Sequence, residues 1–197
     1  MNRLKDTKAI RRTMEKVQDE KRYEHTLGVA YTATALAMRY DIPLKDAEIA
    51  GLLHDCAKCM EDEKKIVFCE KHNIDFSEIE RRNPYLLHAK VGSFLAMDTY
   101  HISDPDILNA ILNHTTGRPG MSTLEKIIFI ADYIEPGRKQ APNLTQIRKL
   151  AFDDLDEALL WILKDTLTYL RSVGGEIDPM TQKTYEFYLE NKKSNKK

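Results

Sequence analysis

Five apolar, helical-period segments of this chain each carry a residue that an apolar core does not tolerate alone. His25 lies in "YEHTLGVAYTATALA", His54 with Asp55 at the end of "AEIAGLLHD", and His88 in "PYLLHAKVGSFLA". His114 ends the apolar run of "DILNAILNHTTGR", and Asp132 sits in "LEKIIFIADYIEP". Burying an imidazole or a carboxylate costs several kcal/mol unless it is paired or bound to a metal. A single histidine on such a face is more often a hydrogen-bonded core residue. Four imidazoles and two carboxylates on five segments are harder to place in one core, and a metal centre satisfies all of them at once. Imidazole and carboxylate ligands suit Fe, Mn or Zn, and no paired thiolate set points to a structural zinc. If "GLLHDCAK" is helical throughout, His54 and Asp55 diverge by about 100° and straddle an ion rather than face it from one stripe. Asp55, with two oxygens, can then reach a second ion about 3.5–4 Å away.

The rest of the chain reads as all-α. Helices are predicted at about 6–17, 21–40, 44–57, 62–72, 85–100, 105–114, 123–134, 145–151, 155–173 and 179–191. Asn83-Pro84, Asp104-Pro105 and Asp178-Pro179 put a capping side chain before proline, Ser122 with Glu125 reads as a capping box, and Gly174-Gly175 is a stop. No period-2 strand stands out. The 197 residues contain no repeat and no shift in composition. One domain is expected over 1–190, with a core at about 22–135 and C-terminal helices over 143–191. The basic end 191–197, "NKKSNKK", reads as disordered.

The totals narrow the function classes. A net charge of −1 gives no field for nucleic acid or a membrane surface as partner. The charged start "MNRLKDTKAIRRTMEKV" lacks the apolar stretch of a signal peptide, and no apolar run reaches the roughly 18 residues of a membrane span. A cytoplasmic protein is expected. Cys56, Cys59 and Cys69 are odd in number, and "CAKC" has no second pair, so free thiols are expected.

The order H…HD…H…H…D, carried by His25, His54-Asp55, His88, His114 and Asp132, resembles the HD-domain metal-dependent phosphohydrolases. The words "GLLHDCAK", "HTTGRPGMSTLEKIIFIADYIEPGR" and "GGEIDPMT" are similar to the YqeK family within them, over roughly 22–188. The resemblance implies an HD-domain helical bundle and a symmetrical diadenosine tetraphosphate hydrolase that uses iron and releases two ADP. It implies one ion on His25, His54, Asp55 and Asp132, a second on Asp55, His88 and His114, and a water or hydroxide between them as nucleophile. Alternatives are another HD-type hydrolase, acting on a nucleoside triphosphate or a guanosine alarmone, and a catalytically silent nucleotide-binding module.

Phosphoanhydride hydrolysis needs positive charge on the phosphoryl oxygens. Asp55 and Lys58 are the expected catalytic residues. Lys58, Arg118 and Arg138 are the expected phosphate contacts, with Thr115, Thr116 and Gly117 offering hydroxyls and open N–H groups. Lys126 is equally well read as a surface charge. The partner is a dinucleotide or nucleotide with an ADP- or GDP-like product. The sequence leaves oligomeric state open, a homodimer included.

Overall fold

The computed structural model describes residues 6–194. In chain order the helices are α1 (Thr7–Val17), α2 (Glu20–Arg39), α3 (Leu44–Leu53), α4 (Asp62–Lys71) and α5 (Glu78–Arg82). A 3₁₀ turn (Pro84–Leu87) leads into α6 (His88–Asp98). Then follow α7 (Pro105–Asn113), α8 (Thr123–Ile134), α9 (Leu144–Ala151), α10 (Leu155–Ser172) and α11 (Pro179–Ser194). No strand occurs among the described residues.

Local chemistry sets many of these starts. Asp6, Asp19, Asp104 and Asp154 each accept a hydrogen bond from a backbone N–H of the helix they precede. Ser122 and Glu125 form the capping box of α8. Helices α2, α3, α7 and α8 then close on one core that holds Val29, Ala33, Leu52, Ile111 and Ile128. Helix α8 is buried on both sides because α10 and α9 cover its far face. A smaller cluster of Ala57, Cys69, Leu87 and Val91 lies under α4 and α6.

The crossing of α2 and α3 depends on Gly51. A Cβ there would lie 2.7 Å from the Cα of Ala30, so any larger residue would drive the two backbones apart. This close approach brings the end of α3 against the first turns of α2.

Four expectations need correction. The helix expected to run to 57 ends at Leu53, and the chain continues in tight turns closed by Cys56 N–H to Leu53 O and Lys58 N–H to Asp55 O. The helix expected over 85–100 begins as a 3₁₀ turn, with α-helix only from His88. No helix is expected between 72 and 85, yet Glu78–Arg82 form the short helix α5, with a capping box from Ser77 and Glu80. At the C-terminus, α11 runs through Ser194, so 191–194 are helical rather than disordered, and 195–197 lie outside the described residues.

Candidate metal centre

His54 is the last residue to follow the α3 spiral, and Asp55 opens the turn after it. Because the helix stops there, the two side chains are not fixed 100° apart and both face the same point. His25 comes from the second turn of α2, His88 from the start of α6, His114 from the end of α7 and Asp132 from the last turn of α8. All six converge. His54 is fully buried, Asp55, His88 and His114 nearly so, and His25 and Asp132 are partly open to solvent.

Asp55 lies at the middle. One carboxylate oxygen is 3.6 Å from His54 Nε2 and 3.9 Å from His25 Nε2. The other is 3.3 Å from His88 Nε2 and 3.6 Å from His114 Nε2. His25 Nε2 is 3.0 Å from Asp132 Oδ1. Three overlapping sets could each hold an ion: His25, His54 and Asp55; Asp55, His88 and His114; and His54, His114 and Asp132. The third set crosses the division implied by the sequence resemblance and makes the cluster continuous.

The hydrogen bonds of the imidazoles test whether a cation fits. His54 Nδ1 donates to Gly51 O at 2.7 Å, His88 Nδ1 to Tyr85 O at 2.6 Å and His114 Nδ1 to Ile111 O at 2.7 Å. Each acceptor is the carbonyl three residues back, so the local turn fixes the ring. His25 Nδ1 faces Glu135 Oε1 at 3.3 Å. With the proton held on Nδ1, the Nε2 lone pair of every ring points inward. His88 Nε2 and His114 Nε2 meet at 3.1 Å, two acceptors face to face. His25 Nε2, His54 Nε2 and Asp55 Oδ1 are buried without a hydrogen-bond partner. Two donors each about 2.1 Å from one ion and at right angles lie about 3 Å apart. The residues fit a divalent metal.

The electrostatics agree. Burial pushes the His54 pKa down to about 4 and lowers that of His88, which keeps both neutral as ligands must be. Burial opposes ionisation of Asp55 and Asp132, but the surrounding imidazoles outweigh it and hold both carboxyl groups below the usual range. Burial would also lower His25, and the Asp132 carboxylate, 3.0 Å from its Nε2, raises it instead.

The other expected residues divide. Lys58 Nζ donates to His88 Nε2 at 3.2 Å, and burial lowers its pKa. Thr115 Oγ1 is 3.3 Å from Nε2 of both His88 and His114. Arg138 reaches Asp132 Oδ1 at 3.3 Å. Thr116 bonds to the carbonyl of Gly117, and Gly117 takes a left-handed φ of +65° in the turn beside α11. Arg118 is drawn away from the centre: it grips the buried Glu125 through two 2.7 Å hydrogen bonds. Glu125 also accepts from Asn113 and from Ser122 N–H, so this network ties the 114–122 loop to α8. Lys126 pairs with Asp156, outside the centre.

The sequence reading missed three residues. Arg22 Nη1 donates to Asp55 Oδ2 at 2.7 Å, Gln18 Nε2 reaches Asp55 O at 3.3 Å, and Glu135 backs His25. Arg22 sits one turn before His25 on α2, and Glu135 three residues after Asp132, so helical spacing from the ligands would have found both.

The family model for the HD domain matches residues 22–137. The symmetrical bis(5'-nucleosyl)-tetraphosphatase of Bacillus subtilis is 43% identical over 175 residues, 86% of this chain and 90% of that protein. The chain belongs to the HD-domain family, in its YqeK branch. A protein of the same name from Halalkalibacterium halodurans is 41% identical over 88% of this chain and 92% of its own length. A solved structure from Clostridium acetobutylicum, described as a predicted HD superfamily hydrolase involved in NAD metabolism, is 42% identical. It superposes with a TM-score of 0.91 over 94% of this chain and 98% of its own. In this HD-domain chain, Asp55 of the His54-Asp55 pair lies at the middle of the cluster, within 4 Å of four imidazoles.

Proposed function

We infer that this HD-domain protein is a symmetrical bis(5'-nucleosyl)-tetraphosphatase that splits diadenosine tetraphosphate into two ADP. The observation that carries this is the near end-to-end match to the Bacillus subtilis tetraphosphatase, in a chain whose six inward-facing side chains form one cluster.

Divalent ions bound there would act as Lewis acids on phosphoryl oxygens and acidify water. The reading assigns two ions, iron before manganese or zinc, with Asp55 shared between them. His25, His54 and Asp132 would complete one ligand set, and His88 and His114 the other. The chain's own contribution is charge and orientation. Arg22 and Lys58 hold positive charge at the rim, within hydrogen-bond reach of Asp55 and His88. A bound phosphate would draw both toward its oxygens, where charge-assisted bonds strengthen as negative charge grows. Thr115 offers a hydroxyl at the same rim, and Arg138, which holds Asp132, would meet phosphates beyond it.

A cytoplasmic enzyme in one domain, free of nucleic acid and membrane and open to homodimer formation, goes with this reading. Among the described residues no helix is long and apolar enough to cross a membrane. The test is product analysis in ¹⁸O-labelled water. Diadenosine tetraphosphate should give ADP alone, with label on the terminal phosphate of one of the two molecules. ATP with AMP would reject symmetrical cleavage. Turnover confined to nucleoside triphosphates would move the protein to another HD-type activity.

A further inference from the structure

We propose that the cavity between α6, α7 and the first turn of α11 is the nucleoside pocket of this enzyme, a proposal that rests on the tetraphosphatase reading above. The cavity measures about 340 Å³. Small-ligand sites span about 300–1,000 Å³, so this one holds a single nucleoside and not a whole dinucleotide. Its wall is mainly apolar, with Leu86, Ala89, Leu112 and Met180 around it and Lys183 at the edge.

Position decides the occupant. Thr115 lines the cavity and also places its Oγ1 3.3 Å from Nε2 of His88 and of His114. Thr115 therefore borders both the cavity and the centre. A group seated in the cavity continues into the centre through a short linker, as a 5'-diphosphate is.

Chemistry decides the class. Most polar groups in the wall are already engaged. Lys90 is bound to Glu80 and to the carbonyl of Asp75, Ser77 and Glu80 cap α5, and the Asn113 amide is held by Glu125. Lys183 makes no ion pair or side-chain hydrogen bond among the described residues. A slot apolar over most of its area, with Lys183 as donor and the Asp178 carboxylate as acceptor at its edge, suits a neutral, flat heteroaromatic base that carries both ring-nitrogen acceptors and an exocyclic amino group. It does not suit a phosphate, whose desolvation an apolar wall cannot offset. The loop cavity lined by Arg138, Lys139 and Arg148 has the opposite character and suits phosphates better than a base.

With the base in the cavity and the diphosphate laid past Thr115, the second phosphorus is the one presented to the centre. Water oxygen bonds to that phosphorus and the bridge to the third phosphate breaks. The electron pair leaves with the other nucleoside diphosphate, and the water protons pass to solvent.

The experiment is photolabelling of the metal-loaded full-length protein with 8-azidoadenosine, with the modified peptides mapped by mass spectrometry. Label should fall within 84–90, 112–116 or 179–183 and disappear under excess ADP. Two variants supply an independent readout. Met180→Trp fills the slot and Lys183→Ala removes its cation. Each should raise the KM for diadenosine tetraphosphate, and the Ki of adenosine as competitor, about tenfold. Metal content and kcat should stay near wild type. Label in 136–148, or KM and Ki unmoved in both variants, overturns the pocket. If the wild type hydrolyses diadenosine tetraphosphate but labels elsewhere, the pocket falls and the activity stands. If it labels in the cavity but does not hydrolyse that substrate, the pocket stands and the activity falls.

Discussion

Each buried imidazole of the centre gives up one nitrogen to hold its own orientation, and only the other is left for chemistry. The residues that do the holding are as constrained as the ligands. Glu135 is the clearest case. Its carboxylate faces His25 Nδ1 and Gly137 N–H, in a space that exists only because residue 28 is glycine: a Cβ there would meet Glu135 Oε2 at 2.6 Å. Glu135→Ala should weaken metal binding about 10- to 100-fold, the usual effect of losing a supporting partner, with helical content kept. Titration with Mn²⁺ measures this, and an unchanged affinity would leave Glu135 a packing residue only. The two arginines separate in the same way. Arg22→Ala should retain metal but lower kcat/KM about ten- to a hundredfold, the size of a lost charge-assisted phosphate contact. Arg118→Ala strands the buried Glu125 carboxylate and should cost about 1–3 kcal/mol in stability. Urea midpoints and steady-state kinetics on both variants should show opposite patterns, and equal loss of activity without loss of stability would return Arg118 to the phosphate site. Sequence alone could not make this distinction. Arg118 stands four residues from His114, in the same turn as the expected phosphate contacts, and only the fold reveals a buried carboxylate seven residues further on that claims it.

At the scale of elements, legibility followed the presence of local punctuation. Helix α8 was readable to its ends because Ser122 and Glu125 close its start and Pro136 follows its end. Helix α5 was missed although Ser77 and Glu80 carry the same signal, because its five residues are too short to show an apolar helical period. The end of α3 carries no such mark: the apolar period runs on through Ala57, with neither glycine nor proline to stop it. What ends the helix is tertiary. Gln18 of the α1 terminus holds the Asp55 carbonyl, Arg22 of α2 holds its carboxylate, and Ala57 turns into the second apolar cluster. The α2–α3 crossing belongs to this scale. Gly51→Val should separate the helices by displacing Ala30 and cost about 1–3 kcal/mol. It should also lower metal stoichiometry, since His54 and Asp55 hang from the end of α3. A thermal melt and elemental analysis check both effects, and a variant of wild-type stability with full metal content would refute the close-contact argument.

For the whole molecule, the centre is a store of opposing charge preferences, and pH exposes their sum. Take the protein with metal removed by a chelator. Histidine in the unfolded chain titrates near 6.5. His54 in the folded protein does so at about 4, and His88 is also lowered by burial. Between about 4 and 6.5 the unfolded state therefore binds protons that the native state refuses, and stability rises with pH across this window. Asp55 and Asp132 act in the same direction at lower pH. Their lowered pKa values contribute stability above about 3.9 that is lost as pH falls further. His25 acts oppositely: its raised pKa contributes stability below 6.5 that is lost as pH climbs through the raised value. Between pH 4 and 6.5 the two lowered histidines alone set the slope, since the carboxyls act below this window and His25 above it. The urea midpoint of the chelated protein should thus fall steadily from pH 6.5 to pH 4. His54→Gln, which removes the most strongly shifted imidazole, should flatten that fall. Adding Mn²⁺ should raise the midpoint at neutral pH and lose its effect toward pH 5, because protons and metal compete for the same Nε2 lone pairs. A midpoint that is flat with pH in the chelated wild type, or a metal effect that persists undiminished at pH 5, would mean that these imidazoles are not held neutral by burial at the centre.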